Sequence, residues 1–482
     1  MTASYSDRPQ TSRSATIGNQ GKVTAQRTGN TQNTVTGAAP ATAWGTDQGR
    51  PTLIYLFLLS LLLPLLFAVG NIQLTPHRVL LIVLFFPLIA RLFSGAIGKP
   101  NTIDYLILFS GLWLILAYMT VHLRRGADPI QGLEFSVSYF LEYIGGYLVG
   151  RIAVRSAEDL RRVAKFMFFA VLVLLPLAAI ESFTYRAFLI EILGKSVVVD
   201  TRFGLKRAQV VFSHPILFGT FVSASLGLLW YVLLPRANGL IKGLYSLVIL
   251  GGTFFSLSVG ALLAFFAQAG FIAYNIIFRT VANRWTLFAI GAIVAYIVVD
   301  IISNTSPFAV LARYVALNPA AAYNRILIFE HGMDNIVARP IFGFGSGGWD
   351  RPFWMSPSID NFWLLFAMQF GIPSFLGLVG GVFLLIRRIS RKALADPYDR
   401  LCRAGYLISI GGIVIAGGTV HYWQAMLSFV MFMFGAGVWL LHRPEPAAVP
   451  DLEANSSEQG EAGAASEKNG RKPFVPYGRS TS

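Results

Sequence analysis

Apolar runs of about 20 residues recur along this chain from Leu53 to Leu441, the length a helix needs to cross a bilayer core of roughly 30 Å. Twelve are read at 52–70, 76–94, 103–122, 134–152, 164–182, 210–233, 241–256, 258–278, 285–303, 360–386, 404–421 and 424–441. Closed barrels would show short alternating strands instead. The expected fold is therefore all-α, a polytopic membrane protein of about twelve transmembrane helices. Of the 482 residues 54% are hydrophobic and 13% charged, about half the charged share of a water-soluble domain. The formal net charge of +15 is read as a topology signal and not as a nucleic-acid surface, because the basic residues fall mainly between the apolar runs. The lone Cys402 excludes an intramolecular disulfide and a thiolate metal cluster.

Residues 1–50 are polar and rich in Ser, Thr, Gly and Gln, and 443–482 mix Glu, Ala, Ser and Lys; both are expected to be disordered tails. The first long run begins near Leu53 and reads as a retained helix, not a cleaved leader. Lys and Arg are enriched in short cytoplasmic loops. That places Arg151 to Lys165 and Arg387 to Arg403 on the cytoplasmic side, with Arg236, Lys242, Arg279 and Arg284. Twelve spans then leave both termini cytoplasmic.

Two long loops face the other side, 183–209 and 304–358, and loops of that length are commonly functional. The first holds Arg186, Lys195, Arg202, Lys206 and Arg207 against Glu191 and Asp200. This positive excess, on the side where the topology rule expects depletion, points to an anionic ligand. The second starts at Asn318-Pro319 and contains a helical pattern from Tyr323 to Ala338: Ile326, Phe329, Met333, Ile336 and Val337 share one face, with His331, Asp334 and Asn335 opposite. A helix lying in the membrane interface is expected, with Arg325 at one border of its apolar face and Glu330 at the other.

Several features carry two readings. Gly343-Phe344-Gly345-Ser346-Gly347-Gly348 lacks the strand context of a nucleotide loop and reads as a turn, or as a hinge letting backbone approach a ligand. Trp349, Phe353, Trp354, Phe362 and Trp363 suit an interfacial aromatic belt or the stacking of sugar rings. Asp360 and Asn361 open the tenth span, as a helix cap or as cavity-facing groups. His214, in Phe212-Ser213-His214-Pro215, is either packed or in contact with substrate. Glu142 lies mid-span, where an ionisable group is costly; it either pairs with a neighbouring helix, binds a head group or marks a transport path. No Walker loop, HExxH motif or DxD pair occurs.

Taken in order, Arg207 before Phe212-Ser213-His214-Pro215, then Tyr323-Asn324-Arg325, Pro340-Ile341-Phe342-Gly343-Phe344-Gly345, and Asp360-Asn361-Phe362-Trp363 through Gly371 resemble the O-antigen ligase and polymerase family. The resemblance spans most of residues 52–441. It implies an enzyme that takes glycans from a polyprenyl diphosphate carrier without metal, nucleotide or other cofactor, with Arg207 and Arg325 engaging the diphosphate. It also implies work beside a repeat-unit flippase and a chain-length regulator. Ligases of the family carry His where this chain has Asp360, and the family often has Ser-Arg-Gly where it reads Ser258-Val259-Gly260, so an Arg that would help bind substrate is absent. The first departure favours a polysaccharide polymerase, with Asp360 as general base and His331 as the alternative. His214, Asn361, Tyr323, His331, Trp349 and Trp363 are the candidate substrate contacts. A ligase that delivers the glycan to lipid or protein, and a flippase or anion transporter built around Glu142, are the competing expectations.

Overall fold

The computed structural model describes residues 50–69, 72–193, 200–305 and 319–445, with positions 307, 309, 310 and 313 between the last two stretches. Most of both expected tails, together with Lys195 and Asn318, lies outside the described residues.

The described chain is an all-α bundle, and each expected span corresponds to one helical segment. These are α1 (Pro51–Leu62), α2 (Pro76–Phe93), α3 (Thr102–Arg124), α4 (Pro129–Phe140, running through Leu141–Gly145 into Gly146–Ala153), α5 (Ala157–Thr184) and α6 (Pro215–Leu233). After them come α7 (Gly239–Phe255), α8 (Val259–Ile277) and α9 (Arg284–Ile302). The additional helix α10 (Pro319–Ala338) follows, then α11 (Phe362–Arg391), α12 (Pro397–Gly417) and α13 (Ala425–His442). Among the described residues nine of these are long and apolar enough to cross a membrane, whereas α1 and α7 are shorter. The chain is thus a multi-pass membrane protein.

Proline and side-chain caps set the boundaries. Asp128, Asp396 and His214 each cap a helix whose first residue is proline, where the missing N–H costs nothing. The first span is shorter than expected: α1 stops at Leu62, Leu63 is extended before Pro64, and a small hairpin pairs Phe67–Val69 with Ile72–Leu74. Proline disfavours helical geometry in the residue before it, which ends the helix there.

Inside the bundle four tyrosines are completely buried, and each phenol finds an acceptor. Tyr143 donates to Ser110 Oγ at 2.9 Å, Tyr147 to Asp104 Oδ1 at 2.6 Å, Tyr406 to the Met433 carbonyl at 2.9 Å and Tyr422 to the Ile413 carbonyl at 2.6 Å. Gly146 and Gly150, one turn apart on α4, face α13 so closely that added Cβ atoms would stand 2.4 Å from the Ser428 oxygen and 2.0 Å from that of Phe432. Small residues at this spacing let apolar helices pack backbone to backbone. The basic segments after α4 and α11 meet at one end of the bundle, where Arg155 donates to the Ala96 carbonyl and Arg388 to Thr102.

The longest helix breaks. Gly371 within α11 has φ 81° and ψ 168°, frees neighbouring backbone groups, and is followed by Pro373. The glycine-rich segment after α10 runs alongside and satisfies them. Phe344 N donates to the Met368 carbonyl, Gly345 N to that of Gln369, and Ile372 N donates to Pro340 O. The segment is therefore a clip for a helix break, which accounts for its glycines: at Gly343 a Cβ would stand 2.3 Å from the Met368 oxygen. Gly371→Ala would bring a Cβ within 2.0 Å of the Ile341 oxygen at a positive φ. It should destabilise the fold by about 2 kcal/mol or more, read as a lowered unfolding midpoint in detergent, whereas Gly380→Ala, whose Cβ would meet only Leu106 Cδ1 at an ordinary 3.7 Å, serves as the silent control.

Candidate functional site

At the end of the bundle opposite the basic segments, the described part of the first long loop is built around a buried ion pair. A two-residue hairpin, Thr201–Arg202 with Leu205–Lys206, turns Lys206 inward. Its Nζ lies 3.2 Å from Glu181 Oε1 near the end of α5, and the same carboxylate accepts hydrogen bonds from Gln209 N and Val210 N. The next residue, Arg207, is thereby placed in the wall of a cavity of about 650 Å³. Its Nη1 pairs with Asp200 at 2.5 Å and its Nε donates to the Ser256 carbonyl, while Arg202 donates to the carbonyl of Leu257. Both arginines thus grip the α7–α8 turn. Part of the loop's positive excess is met within the protein, by Glu181, Asp200 and the Arg186–Glu191 pair at 2.8 Å.

His214 lines the same cavity and caps α6, its Nδ1 accepting from Ile216 N at 3.2 Å. The neutral ring then carries its proton on Nε2. Burial, reinforced by Arg207, holds the ring below its ordinary pKa.

Arg325, on α10, has an enclosed Nη1 without a hydrogen-bond partner among the described residues, a state it shares with single nitrogens of Arg151, Arg339 and Arg351. Burial lowers its pKa and the Asp360 carboxylate opposes that effect. Asp360 is available because Asn361 caps α11 in its place, the Asn361 Oδ1 accepting from Leu364 N at 3.0 Å; Asp360 accepts from Ser358 Oγ at 3.0 Å. Arg202 is lowered first by burial, then by Arg207 and Arg325, against the attraction of Asp200 and Asp360. His214 also feels Asp200 and Asp360. The fold therefore brings Arg202, Arg207, His214, Arg325 and Asp360 into one electrostatic neighbourhood from segments far apart in sequence. Three guanidiniums against two carboxylates leave one net positive charge. A partly dry cavity with fixed guanidiniums can bind a diphosphate and stabilise it as a leaving group.

Other candidates are engaged elsewhere. Trp349 is buried in a satellite core with Ile328, Phe344 and Met355, and donates to the Pro357 carbonyl at 3.1 Å. Trp363 donates to the Val414 carbonyl at 3.0 Å and packs against Gly417. Both rings hold helices together. Phe353 and Trp354 are the exposed aromatics of this loop. His331 lines a separate depression with Asp334, Asp350 and Arg351, away from the residues around Arg207. Tyr323 is exposed.

The faces of α10 also differ from the expected pattern. Met333 and Val337 do point outward, yet the packed face is Ile328, Gly332 and Asn335. Asn335 is buried because its side chain donates to the Asp350 carbonyl and accepts from Asp350 N, both at 2.8 Å. A hydrophobicity pattern cannot anticipate an amide that supplies the hydrogen bonds of a folded-back loop.

Glu142 sits on the π-helical turn of α4, 2.7 Å from Arg78 Nε and 3.3 Å from His77 Nε2. It pairs with a neighbouring helix, and His77 reaches the cavity wall. Sequence reading passed over these two residues, which follow the first proline of α2. It also passed over His421, Trp423 and Gln424 in the α12–α13 turn, where the local signal is only a polar and aromatic cluster between two apolar runs.

Lys206→Met should leave the buried Glu181 carboxylate without its cation and cost about 3–5 kcal/mol. Lys206→Met with Glu181→Gln should recover part of that in detergent unfolding, because the neutral amide oxygen still accepts from Val210 N while the charge is gone. No family model and no curated protein matches this chain, so the chemistry of the site carries the functional reading.

Proposed function

We propose that this chain is a polysaccharide polymerase similar to the O-antigen ligase and polymerase family, acting at the periplasmic face of a bacterial inner membrane with both termini in the cytoplasm. It transfers a growing glycan from its polyprenyl diphosphate to the sugar of the next lipid-linked repeat unit. The observation that carries the reading is the gathering of the Arg202, Arg207 and Arg325 guanidiniums with Asp360, where Arg325 Nη1 has no hydrogen-bond partner among the described residues.

In the proposed step the acceptor sugar's hydroxyl oxygen attacks the anomeric carbon of the donor. A new C–O bond forms as the bond to the diphosphate oxygen breaks, and polyprenyl diphosphate leaves with the electron pair. Asp360 takes the hydroxyl proton, while Arg325 and Arg207 hold the developing charge on the leaving oxygens. A guanidinium suits this work because it is planar, offers paired donors and keeps its proton. Arg207 exchanges its Asp200 partner for phosphate, whereas Arg325 has a donor already open. His214 Nε2 supplies a further neutral donor. Holding two lipid-linked substrates against one cavity turns a rare encounter into a local one. Neither metal nor nucleotide enters the step.

The ion pairing of Glu142 with Arg78 accounts for that carboxylate without a transport path, which removes the main support for a transporter. A flippase and a chain-length regulator are the proposed working partners.

Cells carrying Arg325→Ala at matched protein level should accumulate single lipid-linked repeat units and lose polymer by roughly 100-fold, the usual scale for one charge-stabilising donor. Arg325→Lys should not restore it, for want of the paired donors. Polymer retained on the carrier would indicate a ligase, and an unchanged glycan profile would sink both readings.

A further inference from the structure

The cavity wall holding Arg207 is cationic; the α12–α13 turn beside it has a different chemistry. Gln424 lines the same cavity as Arg207 and His214. It adopts φ 49° and ψ −130°, a backbone conformation that costs a side-chain-bearing residue about 1–3 kcal/mol. Its amide makes no side-chain cap for α13 and no hydrogen bond among the described residues. The fold maintains an unfavourable conformation there and leaves the amide free at a cavity wall.

Behind Gln424 a line of rings connects the two halves of the site. His214 meets Trp423 edge-on at 5.6 Å between centroids, Trp423 stacks with His421 at 5.4 Å, and His421 stacks with Phe362 at 6.4 Å. Phe362 directly follows Asp360 and Asn361, and its N–H donates to the Val420 carbonyl at 2.9 Å. The turn is therefore tied to both ends of the site. The Nδ1 of His421 is enclosed and has no hydrogen-bond partner among the described residues, and burial pushes the ring's pKa down to about 4. At neutral pH it is an uncharged group with one donor and one acceptor.

We infer that the α12–α13 turn, with Gln424 at the cavity wall and the stacked Trp423 and His421 rings behind it, is a subsite for an uncharged sugar ring. The free primary amide of Gln424 and the His214 ring that lines the same wall match the hydroxyl groups of a pyranose. A charged ligand would be drawn to the guanidiniums instead. Polar groups of this kind, few and fixed among aromatic rings, set orientation and specificity in ligand pockets. The inference deepens the proposed function by assigning the sugar to this turn and the carrier diphosphate to the arginines.

The test uses the full chain in lipid nanodiscs and two probes. Saturation-transfer NMR with the methyl glycosides of glucose, galactose, mannose and N-acetylglucosamine reads the sugar subsite. Calorimetric titration with farnesyl diphosphate reads the arginines. The wild type should show transfer to at least one glycoside. Trp423→Leu and Gln424→Gly should each reduce it at least fivefold while farnesyl diphosphate affinity stays within twofold. Gln424→Gly is the decisive variant, because glycine relieves the backbone conformation and a loss of signal cannot be assigned to misfolding. Absence of transfer in the wild type, or full transfer in Gln424→Gly, overturns the inference. Sugar transfer that depends on Gln424 without any diphosphate binding would support the subsite and overturn the carrier reading of the arginines.

Discussion

A helix that breaks inside a membrane protein exposes backbone groups that lipid cannot satisfy, and most of the site depends on how this chain meets that constraint at Gly371. The segment Pro340–Gly345 supplies the missing partners through Phe344, Gly345 and Pro340. Its own position is set from the other side, where Trp113 of α3 donates to the Ile341 carbonyl and stacks on Phe342. Because this segment directly follows α10, clipping it to α11 also fixes α10, with Gly332 against Leu364 and Ile328 in the satellite core. Arg325 and Asp360 come within electrostatic reach of each other as a consequence of backbone hydrogen bonding at least two helical turns away from either.

The charges follow a similar logic. In an apolar bundle an unpaired ion is expensive, whereas a paired one is a means of holding a segment in place. Lys206 with Glu181, Arg78 with Glu142 and Arg151 with Asp104 are pairs of this second kind. Arg207 is intermediate, paired with an Asp200 that is half exposed. Arg325 retains an open donor. Which of the cations have a buried carboxylate partner is invisible in a count of basic residues along the 183–209 loop.

Much of the architecture was legible in the order of residues. The expected helical segments were found because bilayer thickness imposes a length that only long apolar runs satisfy, and the main error, α1, came from overlooking what Pro64 does to Leu63. The site was legible in part. Asp360 and Asn361 carried both a capping and a cavity reading; the structure divides them, giving the cap to Asn361. Trp349 and Trp363 illustrate the limit. An indole that binds a sugar and one that donates to a backbone carbonyl occupy the same kind of sequence position, and only the carbonyls of Pro357 and Val414 tell them apart. His331 fell away from the cavity for a geometric reason, lying well over a turn beyond Arg325 and on another side of the helix.

By itself the sequence determined an all-α chain for an apolar solvent, the gathering of basic segments at one end, and two long loops rich in functional groups. These are one-dimensional properties: run length, charge position and spacing decide them before any helix meets another. Tertiary structure alone decided which arginines find carboxylate partners, which of Asp360 and Asn361 caps α11, and that the α12–α13 turn, carrying a strained Gln424, joins the cavity. The physical reason is that each depends on partners contributed by distant segments, and hydrogen bonds and ion pairs between such segments exist only once the helices have packed.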